Sequence, residues 1–277
     1  MIKSIISTAQ YWLVKHPKIN NFEWIEGETL GATPEFLFST IVTYLSITFM
    51  LYNLHLPPIK PKFLKPFSAS HNIVLLLMSL TMALGCALSL WEHFPNINYM
   101  ICFPKGTPPK GPLFFWAYIF YLSKMVEYID TILIIVSNST KRRLSFLHVY
   151  HHTMAVAMCF FSLHTSQSMF SSVLITNSLV HVLMYAYYFC CSIGIRPRWK
   201  RLVTDCQLLQ FWSSFLIMGV ICYSHFTGPG CSGMWGWCFN AFFITSLLVL
   251  FLDFHNKNYS SSDKIKANQM KKIKQGS

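Results

Sequence analysis

Ile73-Val74-Leu75-Leu76-Leu77-Met78-Ser79-Leu80-Thr81-Met82-Ala83-Leu84-Gly85-Cys86-Ala87-Leu88-Ser89-Leu90 runs for eighteen residues without a charge or a proline. Crossing the hydrocarbon core of a bilayer takes a helix of about 20 mostly apolar residues, because no water is present there to satisfy an unpaired backbone N–H or C=O. The stretch therefore reads as the centre of a membrane span over 71–91. Comparable runs on either side, at 36–54, 113–136, 146–164, 169–193, 204–226 and 234–253, bring the number of spans to about seven. The fold class that follows is an all-α integral membrane protein. Composition agrees, since 53% of the 277 residues are apolar and only 12% are charged, against about 25% charged in soluble domains. Residues 1–255 read as a single membrane-embedded domain without internal repeats, and 256–277 as a polar, lysine-rich, disordered cytoplasmic tail. Tyr11-Trp12-Leu13-Val14 is too short for a signal-peptide core, so the N-terminus is expected to be retained.

A net charge of +12 could point to nucleic acid, but the positions of the basic residues assign it to topology instead. One side of the membrane receives Lys60, Lys62, Lys65, Lys141, Arg142, Arg143, Arg196, Arg198, Lys200, Arg201 and six lysines of the tail; the other receives Lys3, Lys15, Lys18, Lys105 and Lys110. The positive-inside rule then puts the N-terminus outside and the C-terminus in the cytoplasm. It also makes the sequons at Asn138 and Asn258 cytoplasmic, where they stay unmodified. The nine cysteines contain no pair at zinc-ligand spacing. Cys102 and Cys231 fall in loops on the outer side, which in an endoplasmic reticulum protein is the oxidising lumen, and a disulfide between them is expected.

Spans three to six carry polar groups at helical spacing. In the third, Lys124, Glu127 and Asp130 recur every three residues and form an inward stripe, either an ion-pair ladder between helices or part of a catalytic site. In the fourth, His148, His151 and His152 at i, i+3 and i+4 aim three imidazoles at one point. Imidazoles so placed can bind metal, act as general bases or carry an acyl group as nucleophile. The fifth carries Asn177, His181, Tyr185 and Tyr188, beside Met184 and Tyr187, as interhelical hydrogen-bonding groups with His181 set apart as a site residue. In the sixth, Thr204, Gln207 and Gln210 can position a substrate carbonyl or staple helices. The preceding Arg196-to-Arg201 loop serves topology and headgroup contact, or grips a phosphate-rich ligand.

Together and in this order, these segments resemble the ELO family of very-long-chain fatty acid elongases, the membrane 3-ketoacyl-CoA synthases. Lys124-x-x-Glu127-x-x-Asp130-Thr131 is similar to its KxxExxDT box and His148-x-x-His151-His152 to its HxxHH box. Asn177-x-x-x-His181-x-x-Met184-Tyr185-x-Tyr187-Tyr188 is similar to NxxxHxxMYxYY, and Thr204-x-x-Gln207-x-x-Gln210 to TxxQxxQ. The resemblance covers about residues 30–255, and the stretch from His16-Pro17 to Glu28 looks most like the plant branch. It implies seven helices, six of them wrapped around an acyl tunnel, and residence in the endoplasmic reticulum membrane. The dilysine retrieval signal common in the family is incomplete here, with Gln275 following Lys274.

The resemblance implies condensation of a long acyl-CoA with malonyl-CoA, with loss of CO₂, in a ping-pong cycle that carries the acyl group on His151. His148, His152 and His181 are then the other catalytic residues. Lys124, Glu127, Asp130, Asn177, Tyr185, Tyr188, Gln207, Gln210, Arg142, Arg143, Arg198 and Lys200 form the expected substrate-binding set. Neither a cofactor nor a metal is expected, and the implied partners are the two CoA substrates, membrane lipid and the other enzymes of the elongation cycle. A di-iron desaturase also uses an HxxHH box, but it needs about three such boxes, and the other eight histidines here are isolated. A seven-helix receptor or transporter would line a path through both faces, whereas these polar groups gather toward one end.

Overall fold

The computed structural model describes residues 2–54, 57–94, 96–137 and 144–256. Arg142, Arg143, the sequons at Asn138 and Asn258 and nearly all of the expected tail lie outside the described residues. A short α1 (Ile2–Gln10), a π-helical turn (Tyr11–Lys15) and α2 (Pro17–Asn20) precede α3 (Pro34–Asn53) and α4 (Pro61–Glu92). After the short α5 (Ile97–Ile101) come α6 (Pro112–Val126), α7 (Tyr128–Ile135), α8 (Phe146–His164), α9 (Phe170–Ser192), α10 (Lys200–Thr227) and α11 (Met234–His255). Among the described residues there is no β-strand, only the isolated bridges Glu23–Lys110 and Pro104–Cys231.

Six helices, α3, α4, α8, α9, α10 and α11, are long and apolar enough to cross a membrane, and the protein is a multi-pass membrane protein. The remaining span, 113–136, is divided into α6 and α7 at Glu127. There the Asp130 amide donates back to the Glu127 carbonyl at 3.0 Å, a three-residue step that tightens one turn. At about 1.5 Å per residue the pair still covers roughly 35 Å, enough to cross. α4 begins ten residues before the apolar run, because Lys62 and Lys65 are helical outside the hydrocarbon and Pro61 occupies a first-turn position that needs no N–H.

Apolar side chains divide between lipid and core. Phe38, Phe49, Leu77, Leu216, Phe226, Trp235 and Phe242 are exposed on the outer faces of the long helices, as hydrocarbon solvent permits. Inside, Trp24, Phe103, Phe114, Tyr121, Phe160 and Phe170 centre one buried cluster. Ala155, Phe211, Phe243, Ile244, Leu247 and Leu248 centre a second, between α8, α10 and α11. α4 lies close along α9, where Cys86 reaches the Ser171 carbonyl. It approaches α6 through Gly85, whose position admits no Cβ because the Trp116 indole fills it. At the end remote from the basic loops, Cys102 and Cys231 form a disulfide.

Candidate active site

The site begins with a cap. Ser145 has extended backbone angles and its hydroxyl accepts from the His148 amide at 3.2 Å, which starts α8 and puts His148 in its first turn. His151 and His152 follow on the same side; the rings of His148 and His152 are 4.4 Å apart and those of His151 and His152 5.3 Å. The His148 ring is held from behind, its Nε2 2.9 Å from the Thr131 hydroxyl, which is itself 3.0 Å from the Tyr44 hydroxyl. Tyr44 is fixed in turn by stacking on Tyr128 at 3.9 Å. The His151 ring makes no hydrogen bond with any described residue.

The polar stripe of α6 and α7 faces α9. Lys124 is 3% exposed and donates to Glu127 Oε1 at 2.8 Å and to Asn177 Oδ1 at 3.2 Å, with its Nζ 4.3 Å from the centre of the Phe120 ring. His181 Nδ1 lies 3.4 Å from the same Glu127 oxygen. One turn on, Asp130 accepts from the Tyr185 hydroxyl at 2.9 Å and pairs with His71 Nε2 at 2.9 Å. A buried charge left single costs several kcal/mol, so each acid here is held by at least two groups. The stripe is thus both ladder and wall.

These groups enclose one cavity of about 270 Å³. Lys124, Glu127, Asp130, His148, His151, His152, Asn177, His181, Tyr185, Tyr188, Lys200, Gln207 and Gln210 all line it. Its walls come from α6 to α11, while α4 backs α9 and supplies His71 from outside the lining. Gln207 donates weakly to Met184 Sδ at 3.8 Å, and the Gln210 side chain makes no hydrogen bond with any described residue. Lys200 belongs to the rim, with Tyr187 and Phe254. Arg198 does not join them; it is exposed in the loop before α10 and outside the lining. Away from the histidines the lining becomes apolar, and Met158, Val173, Ser214 and Ile244 are shared with a separate small cavity of about 20 Å³. That chamber ends at a buried polar cluster in which Asn240 donates to Gln167 Oε1 at 2.6 Å and Ser162 donates to the same oxygen at 3.0 Å. Among the described residues, no three His, Cys, Asp or Glu side chains converge as metal ligands.

Tyr44 and His71 belong to this site and were not legible as such. Their one sequence signal is a polar side chain within or beside an apolar span, which does not say where the partner lies.

The sequence profile of the ELO family (GNS1/SUR4) matches residues 29–267, the stretch that holds every lining residue. The chain belongs to the ELO family. A fatty acid elongase 3-like protein of Arabidopsis thaliana is 26% identical, over 94% of this chain and 95% of its own length. Fatty acid elongase A of Dictyostelium discoideum is 35% identical, over 72% and 74%. Very long chain fatty acid elongase 2 of Mus musculus is 29% identical, over 74% and 70%. In ELO terms, the four boxes spread along 124–210 are the four walls of one pocket.

Proposed function

We propose that this ELO protein elongates fatty acids in the endoplasmic reticulum membrane, condensing a long acyl-CoA with malonyl-CoA to a 3-ketoacyl-CoA two carbons longer. The observation that carries this reading is His151. Its ring makes no hydrogen bond with any described residue, in a cavity that is polar at the histidine end and apolar beyond, whereas the His148 and His181 rings are tied to Thr131 and Glu127. An imidazole without a hydrogen bond to any described residue can turn its ring nitrogen to a substrate carbonyl.

In the first half-reaction, a ring nitrogen of neutral His151 attacks the acyl thioester. CoA leaves as its thiol, taking the proton released from the ring, and an acyl-imidazole remains. His148, oriented by Thr131, and His152 flank the reacting carbon and steady the negative charge that develops on its oxygen. In the second half-reaction, malonyl-CoA loses CO₂, and the resulting enolate carbon attacks the acyl carbon. The C–N bond to His151 breaks, and the imidazole takes up one proton from solvent at the mouth of the pocket, the proton that the overall reaction consumes. His181, braced by Glu127, is placed to hydrogen-bond the enolate oxygen. Gln207 and Gln210 position the thioester carbonyls, and Lys200 at the rim meets phosphate of CoA. Arg142, Arg143 and Arg198 act, in this reading, at the cytoplasmic approach to the rim. The apolar inner wall receives the acyl chain and keeps water from the acyl-imidazole. No metal or cofactor takes part. The 3-ketoacyl product passes to the reductases and dehydratase of the cycle, which co-purification would identify as neighbours.

The test is incorporation of [2-¹⁴C]malonyl-CoA into lipid by membranes expressing the chain, with a panel of acyl-CoA primers and a His151→Ala control. Incorporation with at least one primer, abolished in the control, is expected. A folded, membrane-inserted protein that incorporates none would overturn the proposal.

A further inference from the structure

We propose that the N-terminal segment, α1 and the π turn after it, is an in-plane anchor that lies in the headgroup layer of the leaflet on the disulfide side, its occupant being lipid. The first observation is an apolar stripe that no helix of the bundle covers among the described residues, with only His16 of the same segment stacked on Trp12. Ile5, Ile6, Ala9 and Trp12 follow the i, i+1, i+4, i+7 spacing of one helical face, with Ser4, Ser7 and Thr8 opposite. Ile5 is 62% exposed, Ile6 53% and Trp12 59%, so the bundle provides no surface for the stripe.

The second observation sets its height. Helix α4 has 32 residues, about 48 Å at 1.5 Å per residue, and overruns a hydrocarbon core of about 30 Å. Its last residue, Glu92, therefore lies at headgroup level. Next to it Trp91 and Phe94 stack at 5.3 Å and are exposed, an aromatic pair of the kind that marks the membrane boundary. The N-terminal segment is tied to that residue twice: Gln10 donates to Glu92 Oε1 at 3.0 Å, and Lys15 Nζ lies 3.7 Å from the same oxygen. The Trp116 indole adds a third tie by donating to the Leu13 carbonyl at 2.9 Å.

The exposed apolar side chains of α4, Leu77, Leu84 and Trp91, and those of the N-terminal segment, Trp12, Ile6 and Ile5, then meet the same leaflet. A helix polar on one face and apolar on the other, held at the boundary, buries its apolar side among headgroups and the first acyl carbons.

The test places a photoreactive benzoylphenylalanine at Ile6 or at Ser7 in the full-length chain, reconstituted in phosphatidylcholine vesicles. Irradiation is followed by mass measurement of the N-terminal peptide. Lipid adducts several-fold more abundant at Ile6 than at Ser7 are expected. Crosslinks to a second copy of the chain, equal adduct at the two positions, or none at either would overturn the anchor. Both substitutions are on an exposed helix outside the bundle, so neither threatens folding.

Discussion

Thr131 stands between two hydroxyl and imidazole partners that lie 87 residues before it and 17 after it. Thr131→Val keeps its shape and removes the link, so the His148 ring loses its brace. A roughly tenfold drop in turnover, about 1.4 kcal/mol, with KM unchanged is expected in steady-state elongation assays. Lys124→Met acts on folding instead, since it leaves Glu127 buried with its strongest partner gone. A loss of about 3–5 kcal/mol is expected in thermal unfolding, much of it restored by adding Glu127→Gln, because the neutral pair needs no countercharge. The histidines of α8 are legible in sequence because three imidazoles at i, i+3 and i+4 can only share a side of a helix. Tyr44 and His71 are not legible, because nothing local to either names Thr131 or Asp130, 87 and 59 residues away.

Helix α4 shows both the power and the limit of hydropathy. The apolar run identifies the element, but the helix starts ten residues earlier, since hydrophobicity reports where lipid is and backbone hydrogen bonding reports where helix is. The division of α6 from α7 is hidden as well: 113–136 reads as one apolar span, and the tightened turn at Glu127 leaves no mark in hydropathy. Packing of α4 on α6 through Gly85 gives a contrast in one experiment. Gly85→Ala drives a Cβ into the Trp116 indole and is expected to cost about 1–3 kcal/mol. Gly219→Ala, in α10 with open space around it, is expected to be neutral or to gain up to about 1 kcal/mol from helix propensity. Melting temperatures of the two variants in the same detergent decide it.

Across the whole molecule the disulfide joins positions 129 residues apart and ties the loop before α6 to the loop before α11. Cys102→Ser with Cys231→Ser is expected to cost about 2–5 kcal/mol, read as a lower melting temperature that reductant no longer changes. Six of the seven expected spans are single helices long and apolar enough to cross, legible from apolar run length alone, and the third is divided into α6 and α7. The short N-terminal helices escape such a reading, since nine and four residues are too few to register as spans.

The polar stripe that braces the cavity also dictates a schedule of assembly. Lys124, Glu127 and Asp130 leave the ribosome before most of the groups that hold them, with Asn177 coming 53 residues after Lys124 and Tyr185 coming 55 after Asp130. At about 5–20 residues per second, the third segment waits roughly 3–10 s for the fifth. Each charge in mid-membrane meanwhile costs about 2.5–3.5 kcal/mol. Of the partners that lie outside this segment, His71 is already made. Lys124 and Asp130 therefore gain their α9 partners only once that helix has been made, and the pocket closes only after α10 and α11 have followed.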